Sequence, residues 1–305
     1  MFCGDGANDM AALRACTVGL SLCDVETSIA APVTSKEATP GAVVDLLLEG
    51  RTSLITTFVL VHYNIMFGYI VMLMTCLLFG YGLMVSDSMY FIQGLFYSAF
   101  PGIAIALTPH ADSLGTELPP KRYFTPWLLT QLIPQLLAFS GVQVYALWLL
   151  SQQSFYTKYA TDDPLSSTYS YEATTLANVV LAQLMIASVV STIGEPYRKE
   201  WYTNYWHLGI LALLTGWFIY QCYAGTSSFA EDTLDLEPIP TYFGSYIIAI
   251  AAGNTVISFA LWAVADRCCR SARKRRTLIF LPAKEGGVTG DSELAEEGAD
   301  KDGLK

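Results

Sequence analysis

Six apolar runs dominate the chain, each roughly 18–25 residues long and so of bilayer-crossing length. They cover Thr56–Leu78, Tyr90–Leu107, Leu128–Leu150, Ala173–Ile193, Tyr205–Tyr223 and Tyr242–Val264. None contains Asp, Glu, Lys or Arg. Backbone groups in lipid must bond within their own segment, so the runs predict helices rather than strands. Trp127, Trp201, Tyr202, Trp206 and Tyr242 mark their edges, as an interfacial aromatic belt requires. Gly68, Gly82, Ala249 and Gly253 are placed to permit close helix contact, and Pro101 and Pro134 to kink their helices.

Ahead of the first run the pattern changes. Asp9–Ala15 predicts a short helix, Val18–Leu22 a buried strand, and Asp24–Ala31 a second helix. Pro32 and Pro40 punctuate a loop, and Gly41–Arg51 predicts a helix running into the first span. The fold class expected is mainly α, a six-helix transmembrane bundle preceded by the end of an α/β domain. Residues 1–50 form the head and stalk, 51–266 the membrane domain, and 267–305 a basic, then disordered tail. Fifty residues bury too little surface to complete such a domain alone.

Composition supports the membrane reading. Of 305 residues, 53% are hydrophobic and 14% charged, too apolar for an ordinary soluble domain. The net charge of −10 is a sum over sorted segments and decides nothing by itself. Lys121, Arg122, Arg198, Lys199 and the run Arg267, Arg270, Arg273, Lys274, Arg275 and Arg276 gather on one side of the spans. The opposite loops, residues 79–89, 151–172 and 224–241, hold only Lys158. The positive-inside rule therefore places the head and both termini in the cytosol. The basic cluster is too short to suggest nucleic acid, and residues 1–20 lack the pattern of a cleavable signal peptide. No cysteine falls in the non-cytosolic loops, so no disulfide framework is expected. Cys268 and Cys269, beside the last span, are either palmitoylation sites or plain thiols.

The chemistry lies at the start. Asp5 and Asp9 stand four residues apart among small residues, after an apolar strand and before a helix. Mg²⁺ takes one or two carboxylates together with phosphate oxygens and water, which suits this pair. Asp9 also suits an N-cap for the helix that follows, and Gly4 and Gly6 suit close backbone approach to phosphate. The string Gly4-Asp5-Gly6-Ala7-Asn8-Asp9-Met10-Ala11-Ala12-Leu13 resembles the GDGxNDxxAL motif of P-type ATPases, which soluble haloacid dehalogenase-like phosphatases nearly share. The continuation Ser28–Lys36 and Glu49-Gly50-Arg51 resembles type 5 P-type ATPases, in which the phosphorylation domain passes into the fifth of ten membrane helices. Tyr171–Thr174, Gln183, Ser191, Gly194–Arg198, Thr203-Asn204, Pro119-Pro120 and Gln143 are similar to subgroup B, the endolysosomal polyamine transporters. Asp87-Ser88 and Ile92–Leu95 look closer to subgroup A, which extracts misinserted helices from the endoplasmic reticulum. The resemblance runs from residue 1 to about 280.

The resemblance implies roles for particular residues. Asp5 and Asp9 are the metal-site aspartates, Asn8 and Gly6 contact the transferred phosphoryl group, and Asp5, Asn8 and Asp9 form the catalytic set, with Mg²⁺ and ATP as cofactors. The phosphorylated DKTGT aspartate, the nucleotide-binding domain, the TGE actuator loop and the first four helices do not occur in these 305 residues. This chain alone is therefore expected to be inactive. Its implied partners are the N-terminal part of the same pump, membrane lipids, and a transported cation or polyamine. His62, Asn64, Phe67, Gln93, Gly94 and Gln183 are the transport-path candidates; Phe67, Val71 and Gly94 fall where polyamine transporters have tyrosine, glutamine and aspartate. The function expected is the C-terminal half of an ATP-driven transporter of a late endosomal, lysosomal or vacuolar membrane. A helix dislocase of the endoplasmic reticulum and a non-catalytic membrane protein are the alternatives.

Overall fold

A computed structural model describes residues 1–22, 29–36, 39–115, 117–120, 122–158, 168–194, 196–223 and 234–280, with side chains as far as Arg267, Trp127 excepted. Most of the expected helix Asp24–Ala31, the side chains of Cys268 and Cys269, and the chain beyond 280 lie outside the described residues.

The head is a small parallel sheet. Strands β1 (Phe2–Gly4), β2 (Gly19–Ser21) and β3 (Val33–Thr34) lie side by side in that order, with Phe2 opposite Gly19 and Leu20 opposite Val33. Parallel neighbours need a crossover, and α1 (Met10–Ala15) supplies it between β1 and β2. Leu13 and Leu20, each 1% exposed, are its core. Ala11, Ala12 and Ala15 of the same helix are exposed, because three short strands offer room for Leu13 alone.

Helix α2 (Gly41–Gly80) runs unbroken from the head into the bundle. Forty residues span about 60 Å, twice the hydrocarbon thickness of about 30 Å. The surplus is a stalk, and Asp45, Glu49 and Arg51 sit on it. Below, Leu48, Thr52, Ile55, Val59, Tyr63, Met66, Ile70, Met74 and Leu78 are buried at three- and four-residue steps, the stripe of a helix with one face against its neighbours.

The second apolar run is helical from Asp87 to Ala106, but it changes pitch: α3 (Asp87–Gly94), a π turn (Leu95–Ala99) and α4 (Phe100–Ala106). Pro101 has no N–H to give the Tyr97 carbonyl one turn earlier, and the Tyr63 hydroxyl of α2 donates to that carbonyl instead. Helices α5 (Pro126–Ser151), α6 (Tyr171–Val190), α7 (Tyr205–Tyr223) and α8 (Thr241–Phe280) complete the bundle. Thr125 and Ser170 cap α5 and α6 through their side-chain oxygens. Helix α6 is central: every residue but Tyr171 and Met185 is buried.

Among the described residues five helices are long and apolar enough to cross a membrane: α2, the α3–α4 unit, α5, α6 and α8. The chain is thus an integral membrane protein. The sixth run is helical, as α7, but is not one of the five. Its Trp206, His207, Gly209, Thr215, Gly216, Trp217, Tyr220 and Gln221 dilute its apolar character. The expected glycine contacts also differ. Nothing approaches a Cβ placed on Gly68 or Gly253 within 4 Å, and Ala249 is exposed. Gly82 serves the turn after α2 with φ 74°. The close approach is at Gly244 of α8, whose Cβ position falls on the Cys222 carbonyl of α7.

At the head end three segments lock together. Arg51 Nη1 donates to the Gly115 carbonyl at 2.6 Å, Thr52 Oγ1 to the Tyr197 carbonyl at 3.0 Å, and the Tyr197 hydroxyl to the Leu118 carbonyl at 2.9 Å. Arg198, 1% exposed, donates to the Ile105 carbonyl, and Asn204 Nδ2 donates to that of Ala104 at 2.6 Å. Both satisfy the last carbonyls of α4, where a helix dipole favours positive charge. Burial pulls the Arg198 guanidinium down to about 10, still charged at neutral pH.

Candidate functional site

Asp5 leaves the carboxyl end of β1, the edge of an open parallel sheet at which ligands bind. A tight turn at Ala7–Asp9 follows, closed by the Asp9 N–H donating to the Gly6 carbonyl at 2.9 Å. Asp9 occupies the N-cap position of α1, but its carboxylate makes no cap. It turns back and accepts the Asp5 N–H on Oδ2 at 3.3 Å. The capping role expected of Asp9 therefore gives way to one that fixes the loop. The fold requires Gly4 for space: a Cβ there would stand 2.6 Å from the Asp9 Cβ and Oδ2. Gly6, with φ −113°, needs no special backbone freedom; its Cβ would meet Asn8 Oδ1.

Asp5 and Asn8 are exposed and Asp9 is half-buried, so the loop offers its oxygens outward. The two carboxylates act on the same space: burial, and then the charges of Asp5 and Asp9, push the Cys3 thiol up from its ordinary range. Among the described residues no group of three or more His, Cys, Asp or Glu side chains gathers to hold a metal ion. The exposed Asp5 carboxylate with the half-buried Asp9 beside it fits Mg²⁺, which fills its other positions with phosphate and water.

The six membrane candidates do not converge. His62 is buried on α2, with Nδ1 3.3 Å from the Tyr123 hydroxyl. Asn64 is exposed and donates to the Leu60 carbonyl of its own helix at 2.8 Å. Phe67 packs partly buried against the core, and Gly94 is exposed where the π turn begins. Gln93 is buried, with Nε2 3.9 Å from Met74 Sδ. Gln183 joins a cross-bundle network. It donates to the Phe139 carbonyl at 3.0 Å and accepts from Gln143 Nε2 at 2.8 Å, which also reaches the Ile70 carbonyl at 3.2 Å. That network ties α6 to α5 and α2, the work of buried polar groups between membrane helices.

Among the described residues two buried charges, Arg198 and Glu172, escape the pattern of apolar runs. Arg198 lies in a loop beyond a span boundary. Glu172, 1% exposed, lies in the first turn of α6, which begins two residues before the run at Ala173. Ser170 followed by an acidic first turn is a helix-start signal that would have moved the boundary.

Comparison with known proteins gives relatives over most of the chain. Probable cation-transporting ATPase 13A4 of Mus musculus is 27% identical over 298 residues, 87% of this chain and 25% of that protein. Probable cation-transporting ATPase catp-6 of Caenorhabditis elegans is 31% identical over 262 residues, 84% of this chain and 20% of that protein. Polyamine-transporting ATPase 13A2 of Homo sapiens is 28% identical over 275 residues, 90% of this chain and 23% of that protein. The chain thus spans a quarter or less of the length of these relatives. No family model matches. The relatives are type 5 P-type ATPases and support that family for this chain.

Proposed function

We propose that this chain is the C-terminal part of a type 5 P-type ATPase that moves a cationic or amphipathic substrate, such as a polyamine, across an endomembrane. The observation that carries the reading is the placement of Asp5, Asn8 and Asp9 on one exposed loop at a parallel-sheet edge, joined through the single helix α2 to a bundle of membrane-length helices. In it Asp5 and Asp9 hold Mg²⁺, which when bound neutralises charge on the transferred phosphoryl group. Asn8 presents its amide to that group, and the Asp5 N–H fixes the Asp9 carboxylate. ATP, the phosphorylated aspartate and the first four membrane helices belong to the rest of the machine. Head and C-terminus face the cytosol in this reading.

A second reading, extraction of misinserted transmembrane helices, is favoured by an apolar cleft of about 480 Å³ beside the π turn, lined by Ile92, Phe96, Tyr97, Phe100, Leu213 and Trp217 among others. ATP hydrolysis by the reconstituted full-length protein separates the two. The transporter reading expects stimulation several-fold by spermine or another polyamine. Stimulation by an apolar helical peptide and by no amine would replace it with the second reading.

A further inference from the structure

At the end of the bundle away from the head, α6 carries chemistry that the phosphate loop does not use. Glu172 Oε1 accepts the Tyr156 hydroxyl at 2.7 Å, while Oε2 is buried without a hydrogen-bond partner. The ion pairs His110–Glu49 and Lys199–Asp112 are both at the head end. Ser170 caps this helix and its dipole favours an anion here, which offsets only part of the penalty for a carboxylate held out of water.

The oxygens that follow are bare as well. Thr175 Oγ1 and Asn178 Oδ1, on residues 0% exposed, lack partners, and so does Thr174 Oγ1. Thr52, Thr57, Thr75, Thr215 and Thr255, on other helices, each donate to the carbonyl four residues back. That back-bond is the ordinary way a helical threonine satisfies itself, and Thr174 and Thr175 forgo it. Asn178 spends its amide on the Thr174 carbonyl at 3.0 Å, which leaves its oxygen free. Glu172, Thr175 and Asn178 succeed one another in three-residue steps, on adjoining parts of one helix face.

We propose that the Glu172–Thr175 end of this staircase of oxygens on α6 binds one monovalent cation, either an alkali ion or the ammonium group of a small amine, with Glu172 as counter-charge. One carboxylate and neutral oxygens suit a single positive charge. A calcium site would draw on six to eight oxygens with more negative charge among them. Burial and the adjoining carboxylate hold the Tyr156 phenol above its ordinary range, so it stays a donor and leaves Oε2 for the cation. The site requires neither ATP nor the phosphate loop, and its failure would leave the transporter reading standing.

The test is thermal unfolding of the 305-residue chain in lipid nanodiscs, in sodium, potassium, methylammonium and choline chlorides at matched ionic strength. Choline has no N–H donor and is the control. At least one of the other three should raise the midpoint by about 5 °C when present about a hundredfold above its dissociation constant. Methylammonium alone doing so assigns the site to amines; sodium or potassium alone assigns it to alkali ions. Glu172→Gln should abolish the shift, and Thr175→Val, which keeps the carboxylate, should raise the half-saturating concentration about tenfold. Equal midpoints in all four salts would overturn the proposal. So would a shift that survives Glu172→Gln, or, should that variant not fold, a Thr175→Val protein that saturates as the wild type does.

Discussion

Asp5→Asn in the full-length protein is expected to lower Mg²⁺-dependent phosphoenzyme formation from ATP by about 100-fold or more, the scale of losing a charge aimed at a transferring group. The substitution is conservative where folding is concerned. Asp5 is exposed, and its contribution to the loop is its backbone N–H, which holds Asp9 Oδ2 at 3.3 Å whichever side chain is present. Asp9→Asn differs, because it alters the acceptor that fixes the turn. Phosphoenzyme measured against total folded protein separates the two effects. Asp5→Asn should leave protein yield unchanged and raise the Mg²⁺ concentration needed for half-maximal labelling.

Gly244→Ala is expected to destabilise the bundle by roughly 3 kcal/mol, the upper range for overpacking. A methyl at this position meets the Cys222 carbonyl and would stand 3.1 Å from its carbon. Both are backbone atoms of α7, so no side chain can swing away and the two helices must separate. Gly253→Ala, two and a half turns along the same helix, is the control. Nothing lies within 4 Å of that position, and alanine should be neutral or stabilise the helix by up to about 1 kcal/mol. Unfolding midpoints in nanodiscs read both; equal behaviour of the two variants would refute the assignment of Gly244 as the contact glycine.

These two variants show where a linear reading of this chain works. The six apolar runs are helices because a charge-free stretch of that length has few other ways to satisfy its backbone. Their boundaries are harder to read. Glu172 belongs to α6, yet a search for charge-free runs stops at Ala173 by construction. Burial is harder still. Composition marks α6 as apolar but cannot say that it sits at the centre with a polar side, because that depends on which helices surround it. The glycines show the same limit. Gly68, Gly253 and Gly244 look alike in sequence, and only the packing of α8 on α7 distinguishes the last. In the head, the motif marks Asp5, Asn8 and Asp9 together, while the cap that Asp9 also suits is not made by its carboxylate. Its turn back toward Asp5 follows from the tight Ala7–Asp9 turn, a local geometry that residue types alone leave open. His62, read as a candidate in the transport path, meets Tyr123 from a distant loop, a contact no spacing along α2 reveals.

The central claim is that the head loop is one wall of a phosphorylation site whose other parts lie elsewhere in a longer pump. Incubation with γ-labelled ATP and Mg²⁺ tests it most directly. The full-length protein should take up acid-stable label that hydroxylamine releases, as an aspartyl phosphate does, and the 305-residue chain alone should take up none. Label on the isolated chain, or none on the full-length protein, would contradict the account.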